Sequence, residues 1–200
     1  MDVVRKRGRP RSFDREAALR LAMHAFWQRG YEATSISQLA ELMGVHTPSL
    51  YAAFGDKEAL FRSAVELYGE NEGSIARRAL ADGRTAREAV EMMLRESVER
   101  FTNPEFPRGC MVVLAATNTT EPNDSVQLYL STMRHEAEQA LRDRIAEAIT
   151  AGEIRADADP ALLAAYYYSV LYGLSIQARD GATRAQLDAI VDLALESWPR

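Results

Sequence analysis

Ile36-Ser37-Gln38-Leu39-Ala40-Glu41-Leu42-Met43-Gly44-Val45-His46-Thr47-Pro48-Ser49-Leu50-Tyr51-Ala52-Ala53-Phe54 is the stretch on which the fold turns. Ile36, Leu39, Ala40 and Met43 recur at helical spacing, which predicts a short helix. Ser35, with Gln38 three residues on, fits a capping box at its start. Gly44 ends it in a tight turn. Thr47 reads as the cap of a second short helix, with Pro48 at its first position. Leu50 and Phe54 share the inward face of that helix. Thr47, Ser49 and Tyr51 are left outward or sideways. A short bracing helix, a sharp Gly44-Val45-His46 turn and a second short helix are helix-turn-helix grammar, in which the second helix enters a DNA major groove. The pair alone is a weak signal, because many helical proteins contain one.

The pattern outward from this pair is helical throughout. Asp14 can cap a helix reaching Arg29, with Ala18, Leu21, Ala22, Ala25 and Phe26 on one face. A longer helix follows Gly55-Asp56, and Gly69 and Gly73 weaken its distal half enough to predict a bend. Thr85-Ala86-Arg87-Glu88 reads as a capping box for a helix to about Phe101. The stretch Asn103–Gly109 is a turn-rich loop. A short apolar helix over Cys110–Ala116, a long one over 126–151, a very apolar one over 160–179 and a capped one over 184–198 complete the chain. The expectation is an all-α fold of about nine helices. It comprises a basic arm over residues 1–11, an N-terminal three-helix DNA-binding domain over 12–57, and a larger helical domain over 58–200.

Residues 13–62 resemble the TetR/AcrR family of bacterial transcription regulators in the order and spacing of their motifs. The segment Phe26-Trp27-Gln28-Arg29-Gly30-Tyr31-Glu32-Ala33-Thr34-Ser35-Ile36 runs into the helix pair. Gly55-Asp56-Lys57-Glu58-Ala59-Leu60 leaves it. The resemblance implies phosphate contacts from Thr34 and Ser35 at the brace helix. It implies base and phosphate contacts from Thr47, Pro48, Ser49, Tyr51 and Ala52, and a phosphate contact from Lys57. His46 stands where a serine is common, and is expected beside a phosphate or at the helix cap. Ala53 stands where a polar residue is common. Ala52 and Ala53 carry no hydrogen-bonding side-chain atoms, so base reading leans on Thr47, Ser49 and contacts to thymine methyls. Helix N-termini near 35, 47 and 57 offer free N–H groups to phosphate.

The net charge of −5 argues against nucleic acid only as an average. Residues 1–62 hold ten Lys and Arg against seven Asp and Glu, a balance of +3; the remainder holds fourteen against twenty-two, a balance of −8. A basic head on an acidic body predicts two jobs in one chain. The arm Arg5-Lys6-Arg7-Gly8-Arg9-Pro10-Arg11 packs five basic side chains into seven residues. Its Gly-Arg-Pro core resembles an AT-hook, so Arg7, Arg9 and Arg11 are expected in or near a narrow minor groove. The alternative is a tail that strengthens binding without choosing sequence.

The body is expected to pair with a second copy and to hold a small molecule. The last two helices, about 160–198, are the most continuously apolar, with Gly173 allowing close approach. In the family they form the dimer, so the expected partner on DNA is a palindromic operator read by a homodimer. The resemblance places an effector among residues 58–179. Its candidate contacts are Phe101, Phe106, Cys110, Met111, Asn118, Met133, Tyr168, Tyr172 and Gln177. Cys110 opens a short helix beside Arg108, and both features favour thiolate, which raises a thiol-based or electrophile-responsive regulator as an alternative; a buried, inert thiol is the other reading. An architectural A/T-binding protein is another. One cysteine excludes an internal disulfide and a cysteine-based zinc cluster, and Cys110, His135 and His24 lack ligand-like spacing. No cofactor is expected. No glycine-rich phosphate loop or nucleophile–histidine spacing points to an enzyme. The longest strictly apolar run has seven residues, too short to span a membrane, and a cytoplasmic location is expected.

Overall fold

The computed structural model describes residues 14–199, which leaves the expected minor-groove arginines Arg7, Arg9 and Arg11 outside the described residues. Among these residues every regular element is helical. The order is α1 (Arg15–Arg29), α2 (Ile36–Met43), α3 (Thr47–Phe54), α4 (Lys57–Glu70), α5 (Ile75–Asp82), α6 (Ala86–Thr102), α7 (Met111–Leu114), a 3-10 turn (Glu121–Asn123), α8 (Asp124–Thr150), α9 (Pro160–Arg179) and α10 (Arg184–Glu196). The bend expected near Gly69 and Gly73 is a full break, so α5 is a helix of its own. Among the described residues no helix is long and apolar enough to cross a membrane.

Most helix starts follow from their caps. Asp14 accepts from the N–H groups of Glu16 and Ala17, and Asp159 from those of Ala161 and Leu162. Ser35 and Thr183 form reciprocal capping boxes with Gln38 and Gln186. Thr85 caps α6, but Glu88 turns its carboxylate to the backbone N–H of Arg84 rather than back to Thr85. The cap of α3 also differs from expectation. His46, not Thr47, is the capping residue, and its side chain makes no cap hydrogen bond. The first N–H groups of α3 therefore lack a side-chain cap.

Apolar packing divides the molecule into two cores. The first gathers Phe26, Trp27 and Tyr31 with Leu39, Leu50, Phe54, Phe61 and Tyr68, and continues into Met111, Val126 and Leu130. Phe61 meets Phe26 edge-on at 5.0 Å and Tyr31 at 5.0 Å. The second core joins α5, α6, α9, α10 and the distal part of α8 through Met93, Leu94, Phe101, Leu141, Tyr167, Leu174 and Trp198. The packing of the head thus does not stop at residue 57. It runs through α4 into α7 and the start of α8. Cys110 is the residue partly buried against both cores.

Candidate nucleic-acid interface and effector site

The turn between α2 and α3 needs a left-handed residue, and Gly44 supplies it with φ of 66°. Ser35, His46, Pro48, Ser49, Tyr51 and Ala52 are all solvent-facing, with Tyr51 48% exposed, while Leu50 is fully buried and anchors α3. Thr47 is half-buried beside them. Seven of the expected DNA contacts, on α3 and at the starts of α2 and α3, are thus exposed or half-exposed.

Two residues behave differently from expectation. Thr34 is fully buried, and its hydroxyl donates to the carbonyl of Gly30 at 2.7 Å. A side chain used to close the α1–α2 turn has no reach to a phosphate, so the contact expected of Thr34 is corrected to a structural one. Lys57 lays its ammonium over the Tyr31 ring, 4.1 Å from the centroid. Burial lowers its pKa, with Glu32 opposing that shift.

The end of α1 is held by the body. Trp27 Nε1 donates to the carbonyl of Gly109 at 3.0 Å in a buried bond. The N–H of Tyr31 donates to the carbonyl of Ala115 at 2.7 Å. Arg179, at the end of α9, donates to the carbonyl of Gln28 at 2.8 Å. Glu32 accepts from the N–H of Thr120 at 2.7 Å, its hydroxyl at 2.9 Å and Asn123 Nδ2 at 2.9 Å; these bonds pull the Glu32 carboxyl below its ordinary range. The segment 109–116 is in turn tied to the other helices. The N–H of Cys110 donates to Ser175 Oγ on α9 at 2.8 Å, and Arg134 of α8 donates to the carbonyl of Val112 at 2.7 Å. Gly109 is required here. Its φ is 78°, and a Cβ would stand 2.7 Å from the carbonyl oxygen of Ser175. None of Trp27, Arg179, Glu32 and Arg134 was expected to matter, because their partners lie 22 to 152 residues away and leave no local signal.

The expected effector residues scatter. Met133 and Tyr168 line a cleft of about 540 Å³ between α5 and α8. Tyr172 lies beside Tyr168, with ring centroids 5.6 Å apart. Phe101 and Met111 are core residues, each inside one of the two apolar clusters. Phe106 carries the Arg100 guanidinium, 3.3 Å above its ring. Asn118 and Gln177 are exposed and are not among the residues that line this cleft. Among the described residues no group of three or more His, Cys, Asp or Glu side chains is placed to hold a metal.

Neither sequence feature that favours a Cys110 thiolate acts on it in the fold. Arg108 turns away and donates to the carbonyls of Ala178 and Ala182. The Tyr68 hydroxyl donates to Cys110 Sγ at 3.4 Å instead. Burial pushes the thiol up, outweighing the lowering effects of Tyr68 and Arg134. The helix that Cys110 opens spans only Met111–Leu114, too short for a substantial dipole.

Comparison with known sequences settles the family. A model of bacterial regulatory proteins of the tetR family matches residues 18–64. A model of the tetracyclin-repressor-like C-terminal domain matches residues 86–193, more than half of the chain. The chain belongs to the TetR family. Two similar proteins are the HTH-type transcriptional repressors ComR and BdcR of Escherichia coli K12. ComR is 33% identical over 98% of this chain and 94% of its own. BdcR is 32% identical over 95% and 91%. Among solved structures, a cysteine-substituted form of the TetR-family regulator CifR, complexed with 26 bp of double-strand operator DNA, is similar at 48% identity. It covers 96% of this chain and all of that one with a TM-score of 0.91. Membership makes the chain a DNA-binding transcription regulator and not an enzyme.

Proposed function

We propose that this TetR-family regulator is a homodimeric repressor that leaves a palindromic operator when a small molecule enters its body. The observation that carries the reading is the segment 109–116. It bonds the end of α1 on one side and α8 and α9 on the other. A ligand that shifts α8 or α9 changes the seat of Trp27 and Tyr31, and with it the pose of α2 and α3. Only a few kcal/mol of differential affinity is needed to move such a population. The similar proteins ComR and BdcR are named repressors, and CifR is described on operator DNA.

On the DNA side, Ser35, His46, Thr47, Pro48, Ser49, Tyr51 and Ala52 form the contact face, with Lys57 reaching a phosphate from over Tyr31. Arg7, Arg9 and Arg11 supply the minor-groove arm. On the dimer side, α9 and α10 each keep one face for the core and one for a partner. Tyr167, Leu171 and Leu174 are buried, whereas Leu162, Tyr166 and Ile176 remain exposed along a helical stripe containing Gly173, and Leu193 on α10 is 65% exposed. Exposed apolar residues on adjacent helices fit a four-helix contact between two copies.

A fragment of the promoter beside the protein's own gene tests the reading. Fluorescence anisotropy is expected to give saturable, salt-sensitive binding of two chains per site. Binding of one chain, or binding unaltered by every compound that stabilises the body, contradicts it.

A second reading rests on Cys110 itself. The thiol touches both cores and lies in electrostatic reach of the Tyr168 and Tyr172 phenols. Its raised pKa means that reaction with an electrophile depends on a ligand held beside it rather than on a free thiolate. Intact-protein mass after treatment with a mild alkylator decides between a modified and an inert thiol, with Cys110→Ser as the control.

A further inference from the structure

Trp27, Gly109, Cys110 and Tyr68 close a ring of contacts between the head and the interior of the body. The Trp27 indole donates to the Gly109 carbonyl at 3.0 Å, and the Tyr68 hydroxyl, from α4, donates to Cys110 Sγ at 3.4 Å. The Tyr68 ring meets the indole edge-on with centroids 4.8 Å apart. Both side chains are buried, and Gly73 leaves no room for a Cβ against the Tyr68 ring. The backbone of Cys110 is pinned as well. Its N–H is held by Ser175 Oγ at 2.8 Å, and its carbonyl by the Leu114 N–H at 3.0 Å. The freedom left in the ring is the single side-chain torsion of Cys110.

A second set of donors faces the thiol from α9. Tyr168 is 2% exposed, and its hydroxyl is buried with no hydrogen-bond partner. Tyr172, its ring centroid 5.6 Å away, also has a buried hydroxyl without one. Both phenols lie within electrostatic reach of Cys110; Glu138 acts on them too but bonds neither. Burial raises Tyr68 and Tyr168 well above the usual range and Tyr172 up to about 12, so all three hydroxyls keep their protons at ordinary pH. A buried donor that meets no acceptor is costly, and native proteins rarely keep one. The sulfur between the two sides is an acceptor that Tyr68 already occupies.

We infer that Cys110 Sγ is a two-position acceptor: on Tyr68 it holds the head in its DNA-competent pose, and turned to Tyr168 it frees Tyr68 and loosens the seat of Trp27. Tyr68 is thus a positioning residue that acts on the head through the indole. The inference rests on the reading of the chain as a ligand-released repressor and names the element whose two positions the ligand selects. Sulfur is a weak acceptor, and one phenol donor replaces another, so the two positions are close in energy. A ligand against α9 then needs little differential affinity to choose between them.

The test is an epistasis series in the full-length protein, read as affinity for the promoter fragment beside its own gene, with melting temperatures alongside. Tyr68→Phe is expected to weaken binding about tenfold, as the DNA-competent fraction falls to about a tenth. Tyr168→Phe alone is expected to change affinity by less than about twofold, because the α9 position is the minor one in the wild type. Joined to Tyr68→Phe, it is expected to recover most of the lost affinity, since neither side then holds the thiol. Cys110→Ala is expected to make both tyrosine changes silent. Additive losses in the double variant, or a Tyr68→Phe loss that persists in Cys110→Ala, overturn the inference, because Tyr68 then acts by packing alone. A loss of about tenfold from Tyr168→Phe alone overturns it too, as does a Tyr68→Phe chain that no longer folds, since the two positions are then far apart in energy. A wild type that does not bind the fragment removes the repressor reading instead.

Discussion

Trp27 and Gly109, 82 residues apart, share a buried hydrogen bond of 3.0 Å from the indole N–H to the peptide carbonyl. It is the buried member of the set of bonds that fasten the reading head to the body. Trp27 is fully buried against Tyr68, whose ring meets it edge-on at 4.8 Å. The indole thus fixes both the seat of α1 and the position of the segment that leads to Cys110. Trp27→Phe keeps most of the apolar volume and removes the donor. It is expected to cost about 1–3 kcal/mol, since the Gly109 carbonyl is left unmatched, and to change operator affinity although no DNA contact is touched. Denaturant unfolding and anisotropy titration check the two parts separately.

Thr34 and Ser49 should part company when each is altered. Thr34→Val removes the bond to Gly30 and should lower stability by about 1 kcal/mol while leaving the salt dependence of operator binding unchanged. Ser49→Ala should leave the melting temperature alone and weaken operator binding, and Tyr51→Ala should do the same. A loss of about 1–3 kcal/mol is the scale of a base contact.

Lys57 and the basic arm contribute through charge. Deleting residues 1–11 should weaken binding and flatten the plot of log affinity against log salt, because fewer counterions are released. Lys57→Met should reduce that slope by about 1 if its ammonium leaves the Tyr31 ring for a phosphate. An unchanged slope in the arm deletion would remove the minor-groove role of Arg7, Arg9 and Arg11.

His24 gives the protein an acid-sensitive point. It packs beside Trp27 and Phe106, and burial holds its pKa below the ordinary 6.5, with Glu72 opposing and Arg20 and Arg100 assisting. The unfolded chain therefore binds the proton more readily than the folded one. The stability this contributes is full above about pH 6.5 and declines as the pH falls through the lowered folded value. Melting temperature should fall between pH 7 and pH 5.5, and His24→Phe should flatten that interval. A pH profile identical in the variant contradicts this.

Much of this was legible beforehand, and the reasons are local. Gly44 demanded a left-handed turn, and Ser35 announced its capping box with Gln38. Such signals act over a few residues. What stayed hidden was long-range. Nothing near Thr34 reveals that its hydroxyl turns inward to Gly30, and nothing near Arg108 reveals that it bonds Ala178 rather than supporting the Cys110 thiolate. Gln177 and Tyr172 lie on one apolar helix, yet only packing against α6 and α8 determines that one faces out and the other in. The partners of Trp27, Glu32 and Arg179 come from the other end of the chain.

The dimer is the remaining physical requirement. Leu193→Asp or Gly173→Trp places a charge or bulk on the exposed stripe of α9 and α10, away from the buried Leu174 and Val191. Either should yield a folded monomer by light scattering, with helical content preserved. Its operator affinity should collapse because a single head reads only half a site.

DNase footprinting on the promoter beside the protein's own gene brings these strands together. The wild type should protect two half-sites related by two-fold symmetry, with centres about one helical turn or a multiple of it apart, and Leu193→Asp should abolish both together. Diffuse protection of A/T-rich DNA, or one half-site protected equally by wild type and variant, would contradict the two-headed repressor.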